Sequence, residues 1–313
     1  MSELKIQSGG MQNGIFENGQ LAFGNALWSG TYIKSDTVGA VAYGGTGYGS
    51  GSHIDASGYG AVAHGCTEGA ASYICANGEG AAAGGYTYGQ NSYITADQPG
   101  AVAHGCTFGQ NSYIYASDFG AEAHGYTHGQ NSYITAARSG AVAHGYTHGQ
   151  NSYIYANGRG SVASGVVNDS SSHIYVKGYG AIAHGYAVGE NSYIESYGDG
   201  AVAHGYVVGK NSYINASAFG SEAHGCTAGE NSYIMSNGSG AIAHGYTDGK
   251  NSYIYANGPG ADAGGYTVGK GSCIEAIGYG SGAYGYAKNA TKEYLVDNNE
   301  EHSKISNIAG SRS

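Results

Sequence analysis

One isoleucine recurs at every twentieth position of this chain, from Ile54 to Ile274, in 12 consecutive blocks. A serine stands two residues before each isoleucine, from Ser52 to Ser272, with the same regularity. Around each isoleucine, small or apolar residues alternate with polar or aromatic ones, which is the period of a β-strand. The hydrophobic pattern therefore predicts a tandem repeat of short strands that recurs at every twentieth position.

With Ala61 as position 1, the repeat reads Ala-Val-Ala-His-Gly-Tyr-Thr-x-Gly-Gln-Asn-Ser-Tyr-Ile-x-Ala-x-Gly-x-Gly. Residues 141–144 and 152–156 have strand periodicity, and Gly-rich turns separate them. Twenty residues are too few for a helical repeat and suit one coil of a solenoid. We therefore predict an all-β fold, a single parallel β-solenoid (β-roll) of about 12 coils with two short strands per coil.

The extent of the repeat divides the chain into three segments. Residues 1–38 contain the concentrated large apolar side chains, including Phe16, Phe23 and Trp28, and are predicted to cap the first coil. Residues 39–286 are predicted to form the solenoid, with one extra residue near Gly47–Gly51. Residues 287–313 are polar and are predicted to form a C-terminal cap or tail, with a short helix near residues 291–298.

Strand alternation assigns the interior of the predicted solenoid. Ser152, Ile154 and Ala156 share one face of the second strand, and Ala141 and Ala143 share one face of the first. The invariant glycines are predicted to allow positive φ or close approach of two backbones. The predicted core ladder consists of Ile94, Ile114, Ile134, Ile154, Ile194, Ile214, Ile234 and Ile254.

The outward positions form columns of identical side chains, spaced about 4.8 Å apart in a parallel sheet. Asn occupies position 11 in eight coils and is expected to form an amide ladder that closes turns. Tyr and His form two further columns, which are either repeat-stabilising stacks or an interaction surface. Their members are Tyr73, Tyr93, Tyr113, Tyr133, Tyr153, Tyr193, Tyr213, Tyr233 and Tyr253 at position 13, and His64, His104, His124, His144, His184, His204, His224 and His244 at position 4.

Composition and motifs narrow the function classes. The formal net charge is −10, which disfavours nucleic acid as a partner, and no apolar run is long enough to span a membrane. No P-loop occurs, the carboxylates are scattered, and a straight His ladder does not converge on a metal. We therefore expect no enzymatic activity, no catalytic residues, no metal site and no cofactor. The coil at residues 161–179 departs most from the repeat and is the best candidate for a local irregularity.

The cysteines and the N-terminus bear on the cellular compartment. Five cysteines form an odd set, and Cys66 and Cys106 lie two coils apart, about 9.5 Å, too far for a disulfide. The N-terminus lacks the apolar stretch of a secretory signal. We expect a cytoplasmic chain, one exported without a cleaved signal and assembled at the cell surface or outside the cell, or one that has lost its signal.

The units Gly-Ala-Val-Ala-His-Gly and Gly160-Ser161-Val162-Ala163-Ser164-Gly165, with the Asn-Ser that follows in most coils, carry a family resemblance. They resemble the head repeats of trimeric autotransporter (YadA-like) adhesins over roughly residues 40–286. The resemblance implies a parallel β-roll, and it implies binding to host surfaces as a trimer.

Two functions from different classes follow. The first is a structural protein that assembles with itself into a fibre or sheath through its Tyr, His and Asn ladders and its coil ends. The second is an adhesin or spike that binds a surface glycan or protein multivalently through the Tyr and His face. Ice binding is a minor alternative, because only one Thr column exists where a lattice match needs two. That column contains Thr67, Thr87, Thr107, Thr127, Thr147, Thr227, Thr247 and Thr267.

Overall fold

A computed structural model describes residues 21–26, 32–35, 38–39, 41–46, 50–288 and 296–297. The chain divides into two compact units, unit 1 at Met1–Asn157 and unit 2 at Gly158–Ser313. The regular secondary structure of the described residues consists of 28 β-strands and no helix. Among these residues there is accordingly no helix of the length and apolarity that a membrane span requires.

Unit 1 alternates longer and shorter strands along the chain. Its strands are β1 Leu21–Ala26, β2 Tyr32–Ser35, β3 Val41–Thr46, β4 His53–Ser57, β5 Val62–Glu68, β6 Tyr73–Asn77, β7 Ala82–Tyr88, β8 Tyr93–Asp97, β9 Val102–Phe108, β10 Tyr113–Ser117, β11 Glu122–His128, β12 Tyr133–Ala137, β13 Val142–His148 and β14 Tyr153–Asn157.

Unit 2 repeats the same alternation. Its strands are β15 Val162–Asn168, β16 His173–Lys177, β17 Ile182–Val188, β18 Tyr193–Tyr197, β19 Val202–Val208, β20 Tyr213–Ser217, β21 Glu222–Ala228, β22 Tyr233–Asn237, β23 Ile242–Asp248, β24 Tyr253–Asn257, β25 Asp262–Val268, β26 Cys273–Ile277, β27 Gly282–Lys288 and β28 Val296–Asp297.

Within each unit, every odd-numbered strand pairs in parallel with the next odd-numbered strand, forming sheet A. The even-numbered strands form sheet B in the same way. Each residue pairs with the equivalent residue of the next repeat, so Ile114 lies beside Ile134 and His124 beside His144. The predicted parallel β-solenoid is confirmed, with two strands per coil and about 12 coils in the two units together.

One register shift interrupts the period. Val41 pairs with Val62 and Tyr32 with His53, one position more than a full repeat, whereas His53 pairs with Tyr73 at the regular offset. The extra residue therefore lies between β3 and β4, at the predicted place. A turn between sheets absorbs it, because an insertion inside a strand would turn all later side chains to the opposite face.

The ends of the solenoid differ from the prediction where they are described. Strands β1 and β2 fall in the segment predicted to be a cap, yet they pair in register with β3 and β4 and add one coil. In the predicted C-terminal helix, Val296 and Asp297 form a strand that pairs with β26. The other residues of the predicted cap and tail lie outside the described residues.

The interior is thin and close-packed. The isoleucines from Ile54 to Ile274 are fully buried, as are the serines from Ser52 to Ser272 and nearly all alanines of positions 1, 3 and 16. In seven coils the isoleucine packs against a glycine of the facing sheet; a Cβ added at Gly145, for example, would lie 2.8 Å from Cδ1 of Ile134. Position 5 is therefore glycine because isoleucine and the backbone of the preceding coil occupy the space of a side chain.

The Thr column of position 7 also lies inside, with no exposed surface from Thr67 to Thr267 where Thr occurs. A buried column cannot contact ice, so the minor alternative of ice binding through these threonines was wrong. The first strand does not end at His144 but continues through Gly145 to His148, so alternation carries Thr147 to the interior.

Buried serines bind the backbone of other coils. The hydroxyl of Ser112 donates to the carbonyl of Gly89 at 3.0 Å and accepts a hydrogen bond from the backbone N–H of Ser92 at 3.2 Å. The same pair of bonds recurs at Ser132. The serine at position 12 therefore satisfies two backbone groups that the turns would leave unpaired.

The predicted Asn ladder is confirmed. Side-chain amides donate to the carbonyl oxygens of the preceding coil, with Nδ2–Oδ1 distances of 3.2 Å for Asn111–Asn91 and 3.3 Å for Asn131–Asn111. Asn at this position has φ of 53–58°, the left-handed region that Asn tolerates better than most residues. Asn at position 11 thus tolerates the backbone conformation of the turn and also links neighbouring coils through its side-chain amide.

Candidate interaction surfaces

The Tyr column of position 13 forms a ring stack on the outer side of sheet B in each unit. In unit 1 the centroids of Tyr73, Tyr93, Tyr113, Tyr133 and Tyr153 are 4.9 Å apart, with interplanar angles of 1–3°. In unit 2, Tyr193, Tyr213 and Tyr233 stack at 4.8 Å. Each ring face is covered by its neighbour, so the column presents ring edges and hydroxyls, and the rings are half-buried.

Stacking also changes the acidity of these phenols. Burial, followed by neighbouring Tyr side chains, raises the pKa of Tyr93 and of Tyr113 to about 12. The hydroxyls therefore remain protonated donors at any physiological pH. The column suits a neutral stabilising ladder better than a charged or catalytic one.

A shallow groove of about 390 Å³ lies beside this column in unit 1. Its floor contains Cys75 and Thr95, whose small side chains leave space that larger residues fill in other coils. Burial and the carboxylates of Asp55 and Asp97 raise the pKa of the Cys75 thiol to about 12. Such a thiol stays protonated, which disfavours a nucleophilic role.

The His column of position 4 lies on the outer side of sheet A. Ring centroids are 6.1 Å apart for His124–His144, 5.0 Å for His184–His204 and 5.7 Å for His224–His244. At Gly84 the column lacks a ring, and His104 leans into the space, 6.1 Å from His64. Burial and the adjacent imidazoles lower the pKa of His104 and of His204.

Two further columns complete this side of unit 1. Position 6 contributes Tyr86, Tyr126 and Tyr146, with the last two stacked at 5.1 Å. Position 8 was not singled out from the sequence because it varies between coils. In unit 1 it is aromatic or imidazole in four consecutive coils, and the contacts are 5.0 Å for Tyr88–Phe108, 6.4 Å for Phe108–His128 and 4.9 Å for His128–His148. We call the outward side chains of β7, β9, β11 and β13 the aromatic face.

Unit 2 carries a related face that differs at position 8. Tyr186 and Tyr206 stack at 5.0 Å, and Tyr246 and Tyr266 at 5.5 Å. Position 8 is Val188, Val208 and Ala228 in three successive coils, so this second face is aliphatic where unit 1 is aromatic. The outward side chains of β17, β19, β21 and β23 form what we call the aliphatic face.

Chemically reactive groups do not converge in the described part of the chain. It contains no group of three or more His, Cys, Asp or Glu side chains placed to hold a metal ion. Glu122 instead contacts His124, with 3.0 Å between Oε2 and Nε2, and the five cysteines form no disulfide. The coil expected to be irregular, residues 161–179, has strands of ordinary length, and Ser171 takes the left-handed conformation of the usual Asn.

No protein-family model, no curated protein and no solved structure matches the chain. The ring stacks and the parallel coils establish a β-solenoid with Tyr ladders, which fits a structural repeat protein.

Acid should destabilise the chain through His173, the histidine at position 13 of its coil. Its ring stacks on Tyr193 with 4.5 Å between centroids, and burial lowers its pKa from 6.5 to about 4. A lowered folded-state pKa gives stability that is complete above pH 6.5 and is lost as pH falls from 6.5 to about 4. The loss expected from His173 alone is about 3 kcal/mol.

The matched variant is His173→Tyr, because Tyr occupies this position in the next coil. Its urea midpoint, measured from pH 7.5 to 4, should fall less steeply with pH than that of the wild type. Identical pH profiles for the two proteins would contradict the assignment to His173.

Proposed function

We propose that this chain is a non-enzymatic structural protein that associates side by side with copies of itself through the aromatic face. The observation that carries the proposal is the charge distribution on that face. Its four strands present 16 outward positions (four each at positions 2, 4, 6 and 8), and of these only Glu122 is charged at neutral pH. Glu122 itself contacts His124.

The partner is a second copy because the aromatic face carries almost none of the acidic residues that make copies of this chain repel one another. The chain as a whole has a net charge of −10, so copies repel one another except where the acids are absent. The acidic residues of unit 1 lie mainly on turns and on sheet B, as at Glu79, Asp97 and Asp118. Two aromatic faces, each with Glu122 as its one acidic side chain, can therefore meet while the more acidic surfaces point away.

The area of the aromatic face limits the affinity with which two copies can associate through it. Four strands spaced about 4.8 Å apart and seven residues long make a surface of about 440 Å². Pairing two aromatic faces buries about 900 Å² in total, the size of a weak interface.

The Tyr column of sheet B supports the same proposal in a different way. Because its ring faces are already covered, it offers little surface for stacking on a sugar or another ring. Its role is to stiffen the coil stack that presents the aromatic face. The changes Tyr133→Ser, Tyr153→Ser and Tyr193→Ser should therefore lower stability before they affect association.

The proposal is tested with two lysines on the aromatic face, Tyr126→Lys with Tyr146→Lys. Electron microscopy and sedimentation of the wild type should show laterally associated assemblies or filaments, and this variant should show single molecules. Desolvating two ammonium groups in an uncharged interface accounts for the loss.

The control places the same charges on the turns of the same coils, Gln130→Lys with Gln150→Lys. Lys occupies this turn position at Lys210 and Lys250, so the fold accepts it. The control should associate like the wild type, and melting curves should show both variants folded. Discrete, unassociated particles of wild-type protein would overturn the proposal and favour the alternative, an adhesin that binds a surface glycan or protein multivalently.

A further inference from the structure

Two pairs of histidines flank the Tyr126–Tyr146 stack on the aromatic face. His124 and His144 stand at position 4, with ring centroids 6.1 Å apart and an interplanar angle of 64°. His128 and His148 stand at position 8, with centroids 4.9 Å apart and an angle of 80°. In both pairs the rings come from adjacent coils and are inclined to each other.

This geometry is close to that of two imidazoles on one zinc ion. A Zn–N distance of 2.0–2.1 Å and a tetrahedral angle place the two ring centroids about 5.2 Å apart. The separations in the two pairs lie on either side of this value. The pair His184–His204 differs, because its rings are parallel within 10° and their nitrogen lone pairs do not converge.

Glu122 adds a feature of metal-binding histidines. Its Oε2 lies 3.0 Å from Nε2 of His124, so Nδ1 is the nitrogen of that ring that would bind a metal. A carboxylate on the second nitrogen orients the imidazole and makes it a stronger ligand.

Each pair supplies only two of the four ligands of a closed zinc site. The aromatic face has a pair on both sides of its central Tyr column, and this allows a second copy to complete both. A two-fold axis along the stacking direction, above Tyr126 and Tyr146, places the position-4 pair of one copy opposite the position-8 pair of the other. Sheets packed face to face lie about 10 Å apart, within reach of imidazoles from both sides.

We propose that His124 with His144, and His128 with His148, are half-sites for a divalent transition metal such as zinc, completed by the aromatic face of a second copy. This inference rests on the proposed function, since it needs two aromatic faces in contact. It assigns two four-histidine sites to each pair of chains. It also explains why a straight His column, which cannot enclose a metal alone, can hold one between copies.

The test uses the full chain, freed of metal with EDTA and titrated with zinc chloride at pH 7.5. Calorimetry should give one zinc per chain, and sedimentation should show a dissociation constant for pairing at least tenfold lower with zinc. His128→Asn with His148→Asn should abolish both effects, because each site loses two ligands. His184→Asn with His204→Asn, on the aliphatic face, is the matched control and should respond like the wild type.

The outcomes separate the two proposals. Equal zinc responses in the wild type and the His128/His148 variant, or zinc binding without any change in sedimentation, overturn the metal inference. If the metal-free chain still associates and the two lysines at positions 126 and 146 abolish it, the proposed function stands while the metal inference fails. Zinc-dependent pairing that disappears with the His128/His148 variant supports both.

Discussion

Replacing Gly145 with alanine should destabilise the chain by about 3 kcal/mol or more, whereas alanine at Gly160 should cost about 1–2 kcal/mol. Both glycines are invariant in the repeat, and from the sequence alone they are equivalent. The added Cβ at Gly145 would overlap the carbonyl oxygen of Gly125 and lie 2.8 Å from Cδ1 of Ile134. At Gly160 nothing lies within 4 Å, so only its φ of +65° opposes a side chain.

Urea unfolding at constant m-value measures the difference. Gly160→Asn should be milder than Gly160→Ala, because Asn accepts the left-handed conformation. Combining Gly145→Ala with Ile134→Ala should restore little stability, since the carbonyl of Gly125 remains in place. Equal losses for Gly145→Ala and Gly160→Ala would show that φ, and not the close approach of neighbouring coils, determines position 5.

Ile134→Ala should cost about 2–5 kcal/mol, and Ile134→Val about 0.5–1.5 kcal/mol. Ile134 is fully buried and is the largest interior side chain of its coil. Its neighbours in the interior are Ile114 and Ile154, which strand pairing holds in register, and Ala, Ser, Thr and Gly, which are too small to fill the cavity. Adjacent coils are joined by strand pairing on both sides and hold the cavity open.

Thermal and chemical unfolding of the two variants provide the measurement. Ile134 sits in the middle of a run of paired coils in unit 1, so fraying at the ends of the stack should not mask its effect. A loss below about 1 kcal/mol for Ile134→Ala would mean that the two sheets collapse onto each other. Such a collapse would mean that the interior is not rigidly packed. Close packing would then not explain why isoleucine recurs in every coil.

Part of the interior was predictable and part was not, and residues 141–156 show why. Ser152, Ile154 and Ala156 alternate within one short strand, and their burial follows from period 2 alone. Thr147 follows a glycine and a tyrosine, which resemble the start of a turn. Only the pairing of β13 with β11 through Gly145 shows that the strand continues and that Thr147 points inward.

The surface was predictable as columns but not as faces. Positions 4 and 13 are regular enough to be found by counting, and both point outward as expected. Position 8 varies between Tyr88, Phe108, His128 and His148, so it has no signal in a repeat alignment. Its side chains become one aromatic column because neighbouring strands place them within 4.9–6.4 Å of each other.

The sequence by itself determined the period, the two strands per coil, the parallel register and the Ile–Ser–Ala interior. This was possible because every coil adopts the same local conformation and stacks in register on its neighbours. The pattern within one repeat is therefore enough to specify the fold. Tertiary structure decided the roles of Gly145, Thr147 and the position-8 side chains. Those roles depend on atoms a whole repeat away in the chain, which are neighbours only after the coils have stacked.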